Sequence, residues 1–307
     1  MLLTILMNSQ TMSNKQLIVI HGPTAIGKTS LSIELAEYYN TEIISCDSRQ
    51  FYKELKIGAA PPDPQELAAV KHHFIHHLSV TDNYNVGAFE QDAINKIEQL
   101  FHTYDKLIMV GGSGLYIDAV CKGMDEIPEI SDEIRNKLND DYNKKGLAWL
   151  QNQLEQVDLE FYTNCDKNNP KRLIRALEII QQTGQSITSF HKKKSKARSF
   201  EIIKMGLKMD REQLYKRINS RVDIMIQKGL LDEVKSLTPY QNYNALQTVG
   251  YKELFKYLKG NTSLEESIEE IKKNSRRFAK RQITWFRRDD EIQWFDTNRI
   301  KDITPFI

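Results

Sequence analysis

The octapeptide GPTAIGKT, residues 22–29, follows the apolar run LIVI and opens the helical pattern KTSLSIELAEYY. It matches G-x-x-x-x-G-K-[ST], and few spacings constrain local structure more: a strand buried on both faces, a tight turn, then a helix. Glycines let successive amides curl inward around one anion, and the helix N-terminus adds its partial positive charge. Gly22, Pro23, Thr24, Ala25, Ile26 and Gly27 therefore read as a phosphate cradle. Lys28 supplies a full charge to the terminal phosphates, and the Thr29 hydroxyl is the usual ligand of Mg²⁺. Kinases, ATPases and GTPases all carry such a loop, so the ligand class is fixed and the reaction is not. A GTPase is disfavoured, because no N-K-x-D guanine-reading sequence is present.

Further apolar runs, EIISCD ending at Asp47 and KLIMV ending at Gly111-Gly112, alternate with amphipathic helical segments. That alternation predicts an α/β fold: a P-loop NTPase-like parallel sheet flanked by helices. DPQE, residues 63–66, carries a helix-start signature of cap, first-turn proline and glutamate. From about residue 128 the strand-like runs vanish and charged helical segments take over, with Ser131 and Asn169 as caps and Gly146 and Gly184 as stops. This reads as an inserted all-helical domain over 128–199, set into a core formed by 16–127 and 200–307. FEIIKMGLKM returns the chain to the sheet, Asp210 caps a long helix, and two further helices finish the chain. A length of 307 residues suits two domains. Residues 1–15 read as a disordered extension, too short for a secretory core or a membrane span. Three scattered cysteines point to a reducing compartment, and no apolar stretch predicts a membrane helix, so the expected location is cytoplasmic.

Asp47 admits several readings. It resembles a Walker B aspartate holding Mg²⁺. It also lies at the carboxyl end of a strand beside the phosphate loop, where it could accept a proton from an attacking group. Capping of the following turn is the third. KHHFIHH offers histidine pairs four apart, but the four share no single face and no carboxylate pair joins them, which disfavours a metal site.

Six segments together resemble one family. GPTAIGKT, DSRQFYKELKIGAAPP, VGGSGLYIDAV, NPKRLIRALEI, TVGYKEL and KRQITWFRR occur in the order and at the separations of the tRNA dimethylallyltransferases, across about residues 17–296. The family often has threonine at the position of Ser113, where serine keeps the hydroxyl. It often ends the second segment in lysine-proline, where Ala60-Pro61-Pro62 lacks the charge. The resemblance implies transfer of a dimethylallyl group from its diphosphate to N6 of adenosine-37, beside the anticodon of tRNA, with diphosphate released. Lys28 and Mg²⁺ on Thr29 would then hold the leaving diphosphate, Asp47 would be the general base, and Ser113 would be the hydroxyl near the leaving group. Arg217 and Arg221, four apart on one helix, could close over the diphosphate.

The same resemblance implies that Asp47, Ser48, Arg49 and Gln50 line the pocket of an adenine extruded from its loop. It assigns tRNA contact to Ser113 and Arg135, and to the run Lys171, Arg172, Leu173, Ile174 and Arg175. It extends contact to Gln247, Thr248, Val249, Gly250, Tyr251 and Lys252, and to Lys280, Arg281, Gln282, Ile283, Thr284, Trp285, Phe286 and Arg287. Charge agrees with an RNA partner: residues 271–288 hold eight basic side chains and no acidic one in a chain of net charge +2. HKKKSKARSF is a second basic tract. The partners implied are dimethylallyl diphosphate and a tRNA anticodon stem-loop, met by a monomer. The alternatives are a P-loop small-molecule or nucleotide kinase, prenylation of free adenine nucleotides, and an RNA-binding protein with a degenerate loop. The intact Lys28 and Thr29 disfavour the last.

Overall fold

The computed structural model describes residues 15–191 and 196–297. The expected N-terminal extension up to residue 14, and residues 192–195 of the second basic tract, lie outside the described residues. Six parallel strands form one sheet: β1 (Gln16–His21), β2 (Ile43–Ser45), β3 (His72–His73), β4 (Lys106–Val110), β5 (Glu201–Lys208) and β6 (Gln293–Asp296). Their spatial order is β3-β2-β4-β1-β5-β6. β1 lies centrally, pairing Leu17 with Leu107 on one side and with Ile202 on the other.

The apolar runs follow from burial on both faces. Leu17, Val19, Leu107 and Met109 point into one apolar cluster, while Ile18, Ile20, Ile108 and Val110 point into the other. Each fully buried aliphatic contributes about 1.5–3 kcal/mol, so these two strands anchor the domain. The first cluster packs against α3 (Val86–Phe101), and the second against α1 (Lys28–Tyr39) and α10 (Arg211–Gln227). α2 (Pro64–Ala69) has the expected capping box: Asp63 accepts from the Glu66 amide at 2.8 Å, and Glu66 Oε2 accepts from the Asp63 amide at 2.8 Å.

The end of the chain departs from the sequence reading. Among the described residues, α10, capped by Asp210, is followed by three α-helices, α11 (Leu230–Ser236), α12 (Tyr251–Leu258) and α13 (Leu264–Phe286), and then by β6. β6 escapes a hydropathy reading because it is a four-residue edge strand, exposed at Gln293 and only half-buried beyond it.

The second compact unit, Lys122–Lys196, begins earlier than the expected 128. Its described helices follow α4 (Gly114–Lys122): α5 (Asp132–Lys145), α6 (Leu147–Val157), α7 (Leu159–Asn164), α8 (Pro170–Thr183) and α9 (Ile187–Phe190). Ser131 and Asn169 cap α5 and α8, and Gly184 ends α8 at a φ of 72°. Leu138, Leu150, Leu154, Phe161, Leu173 and Leu177 form its own core.

Candidate active site

A cavity of about 510 Å³ opens at the carboxyl ends of β1, β2 and β4, where open parallel sheets place their ligands. Every residue lining it lies outside the helical unit.

The loop between β1 and α1 forms its floor. Gly27 caps α1 at a φ of 106°, a conformation that an L side chain rarely adopts, and Ala25 is also left-handed at 64°. A non-glycine residue held there stores about 1–3 kcal/mol of strain, as expected where backbone is shaped around a ligand. Lys28 donates to the Pro23 carbonyl at 2.9 Å, curling over its own loop. Burial pushes its pKa down to about 8; the Asp47 carboxylate opposes that shift, and the Arg221 guanidinium reinforces it. From α10, Arg221 donates to Thr24 Oγ1 at 3.2 Å and to the Ala60 carbonyl at 3.3 Å. Arg217 brings its guanidinium to within 3.7 Å of where a Cβ on Gly27 would sit. The two arginines read from helical spacing thus converge on the phosphate loop.

Asp47 lies across the cavity, just past β2. Its Oδ1 accepts from the Arg49 amide at 3.1 Å, so it caps the turn as the plainest reading held, and it also lines the cavity with Lys28 and Thr29. Ser113 Oγ accepts from the Ser48 amide at 3.1 Å and lies 3.1 Å from Ser48 Oγ, tying the loop after β4 to the loop after β2. Gln50 accepts from Ser45 Oγ and donates to the Ala60 carbonyl at 3.0 Å, and Arg49 donates to the Asn244 and Ala245 carbonyls at 2.9 Å. Arg49 and Gln50 therefore act as walls, with their polar groups committed to neighbouring loops. Glu233 holds the same region from α11, accepting from the Ile57 and Gly58 amides and from the Tyr251 hydroxyl at 2.6 Å.

The segments expected to meet RNA mix exposed and buried positions. Lys171, Arg172, Lys252, Lys280, Arg281, Thr284 and Arg287 are exposed. Thr248 and Val249 line the cavity, and Gln247 donates to the Gln241 carbonyl. Leu173, Ile174, Gly250, Tyr251, Gln282 and Phe286 are buried, and of these Gly250 and Gln282 line the cavity. Ile283 packs against the second core cluster. Trp285 donates to Asp118 at 2.8 Å, and Arg135 and Arg175 both pair with Glu178. The four histidines engage separate partners: His72 the Val70 carbonyl, His73 Glu42, His76 the turn beside Leu55, and His77 the rings of Phe51 and Phe74.

Sequence reasoning missed Glu233 and the role of Gln282. Gln282 Oε1 accepts from the Thr24 amide at 2.9 Å, and its Nε2 donates to the Gly112 carbonyl at 2.8 Å. No local pattern announces either residue, since Thr24 and Gly112 lie more than 150 positions from Gln282, and Ile57 and Gly58 more than 150 from Glu233.

The chain is similar to several known proteins. The family model described as IPP transferase matches residues 50–289. The chain is 56% identical over 285 residues to the tRNA dimethylallyltransferase of Christiangramia forsetii, covering 93% of this chain and 94% of that one. It is 50% identical to the enzyme of the same name from Flavobacterium johnsoniae, covering 92% and 93%. The tRNA isopentenylpyrophosphate transferase structure from Bacillus halodurans superposes with a TM-score of 0.69 at 36% identity, covering 96% of this chain and 95% of that one. A eukaryotic dimethylallyltransferase structure, described as acting on tRNA, gives 0.75 at 28% identity, covering 92% and 74%.

Proposed function

The chain belongs to the IPP transferase family, that of the tRNA dimethylallyltransferases, and on that premise we propose that its cavity moves a dimethylallyl group from dimethylallyl diphosphate to N6 of adenosine-37 in tRNA. The observation that carries this reading is the meeting of a phosphate cradle, the Arg221 guanidinium and an opposed carboxylate in one cavity of about 510 Å³, with Arg217 beside the same loop at Gly27. A kinase would share the cradle, but family membership makes the cradle a grip on what leaves.

The nitrogen of the exocyclic amine attacks the allylic carbon, and the carbon–oxygen bond to diphosphate breaks with its electron pair passing to the diphosphate. Because that lone pair is delocalised into the ring, the amine is a weak nucleophile, and removal of its proton as the bond forms is the natural task of Asp47. Negative charge accumulates on the departing oxygen, so Lys28, the loop amides and Arg221 stabilise the transition state more than the ground state. Thr29 lines the same cavity, and its hydroxyl oxygen would hold Mg²⁺, which takes one or two protein oxygens together with phosphate oxygens. Bound there, the ion would neutralise charge on the leaving group. Lys28, whose pKa burial lowers to about 8, is held in its charged form by a diphosphate beside it. The adenine must leave its stack to reach Asp47, at a cost of a few kcal/mol offset by contacts around the flipped base. The exposed cations Lys171, Arg172, Lys252, Lys280, Arg281 and Arg287 supply the electrostatic grip on the RNA backbone.

The test is incubation with radiolabelled dimethylallyl diphosphate, Mg²⁺ and either unmodified tRNA or AMP. Label is expected on tRNA. Label on AMP alone would reverse the acceptor, and ATP-dependent phosphorylation without prenyl transfer would return the chain to the kinases.

A further inference from the structure

Gln282 is buried within a helix segment whose neighbours Lys280, Arg281, Thr284 and Arg287 are exposed. Its amide is engaged at both ends: it accepts from the Thr24 amide of the phosphate loop and donates to the Gly112 carbonyl of the loop after β4. The Thr24 amide is thereby taken from the anion nest, so this loop is shaped partly by a helix almost the whole chain away. The second partner faces the acceptor side. A Cβ added to Gly112 would meet Gln282 Nε2 at 2.5 Å and Asp47 Oδ2 at 3.5 Å, which places the amide and the carboxylate around the same glycine. Absence of a side chain at Gly112 is what lets them approach.

Resting on the functional reading above, we propose that Gln282 is a positioning residue which sets the distance between the diphosphate grip and the Asp47 carboxylate, and that it does not read RNA. One amide spans the two loops that carry the leaving group and the proton acceptor. Asparagine is a methylene too short to make both bonds. Glutamate keeps the acceptor for Thr24 but sets a carboxylate against the Gly112 carbonyl. Because Gln282 lies on the helix that carries exposed cations, the same bridge makes the donor loop sensitive to where α13 sits. Displacement of reacting groups by about 1 Å costs up to ~10²-fold in rate, so the effect belongs in turnover.

The experiment is steady-state prenyl transfer to unmodified tRNA by wild type, Gln282→Ala and Gln282→Glu, with thermal melting of each and titration of inorganic diphosphate with Mg²⁺. Both variants are expected to lose about 10- to 100-fold in kcat with the KM for tRNA within about threefold of wild type, and to bind diphosphate at least ~5-fold more weakly. The isosteric glutamate carries the test if the alanine variant does not fold. A kcat within twofold of wild type, with the loss appearing in the KM for tRNA, would overturn the inference and make Gln282 an RNA contact. If the wild-type chain transfers no prenyl group, it is the functional reading that fails. The diphosphate titration then decides alone, and an affinity within twofold of wild type overturns the inference.

Discussion

At the scale of single residues, the proposed chemistry falls to two ionisable groups in one cavity. Asp47, held by the Arg49 amide, is the proposed proton acceptor, and Lys28, which donates to the Pro23 carbonyl, is the proposed grip on the leaving group. Asp47→Ala should retain donor affinity while kcat falls about 10²- to 10⁴-fold, the range of general base catalysis; weakened donor binding at near-normal turnover would contradict the role. Lys28 makes a pH prediction. Its pKa in the free protein is lowered to about 8, so above that pH the side chain is increasingly neutral and a diphosphate must bring a proton with it. Affinity for inorganic diphosphate should fall as pH rises through 8, with net proton uptake on binding visible as a buffer-dependent calorimetric enthalpy. Lys28→Met should bind weakly throughout and show no such slope.

At the scale of elements, α13 does two jobs with two faces. Ala279, Gln282 and Phe286 are buried against the core and loops, while Lys280, Arg281, Thr284 and Arg287 look outward. Substituting Lys280 and Arg287 by alanine should raise the KM for tRNA and reduce the salt slope by about one for each phosphate left without its cation, with diphosphate binding unchanged. α11 contributes through Glu233, whose three accepted hydrogen bonds pin the loop at Ile57 and Gly58 to Tyr251. Glu233→Ala should cost about 1–3 kcal/mol in denaturant unfolding, by leaving buried donors without partners. These elements mark what was legible in the sequence. The phosphate loop, the buried strands, the capping box at Asp63 and the Asp210 cap could be read because their physics is local. Gln282 and Glu233 could not, because a side chain that bridges distant loops leaves no periodicity behind it. The runs 171–175 and 280–287 read as whole segments, and only burial separates Leu173 and Phe286 from Lys171 and Arg287.

At the scale of the whole molecule, a net charge of +2 hides a local basic run, since residues 271–288 carry eight basic side chains and no acidic one, of which Lys272 pairs with Asp223 and Glu269. The cavity belongs wholly to the α/β unit, and the helical unit closes on itself where the Lys196 amide donates to the Lys122 carbonyl at 2.8 Å. Its two ends are therefore adjacent, and a short glycine-rich linker replacing Lys122–Lys196 should leave diphosphate binding intact while abolishing turnover on tRNA. Everything rests on a cradle that grips the departing group and a carboxylate that readies an adenine in the same space. The most direct test is a crystal structure with a non-reactive dimethylallyl diphosphate analogue and an unmodified anticodon stem-loop. The account predicts the analogue's phosphates among the amides of residues 22–29 and the adenine N6 within about 2.6–3.2 Å of Asp47. Phosphates bound elsewhere, or an extruded base facing away from Asp47, would contradict it.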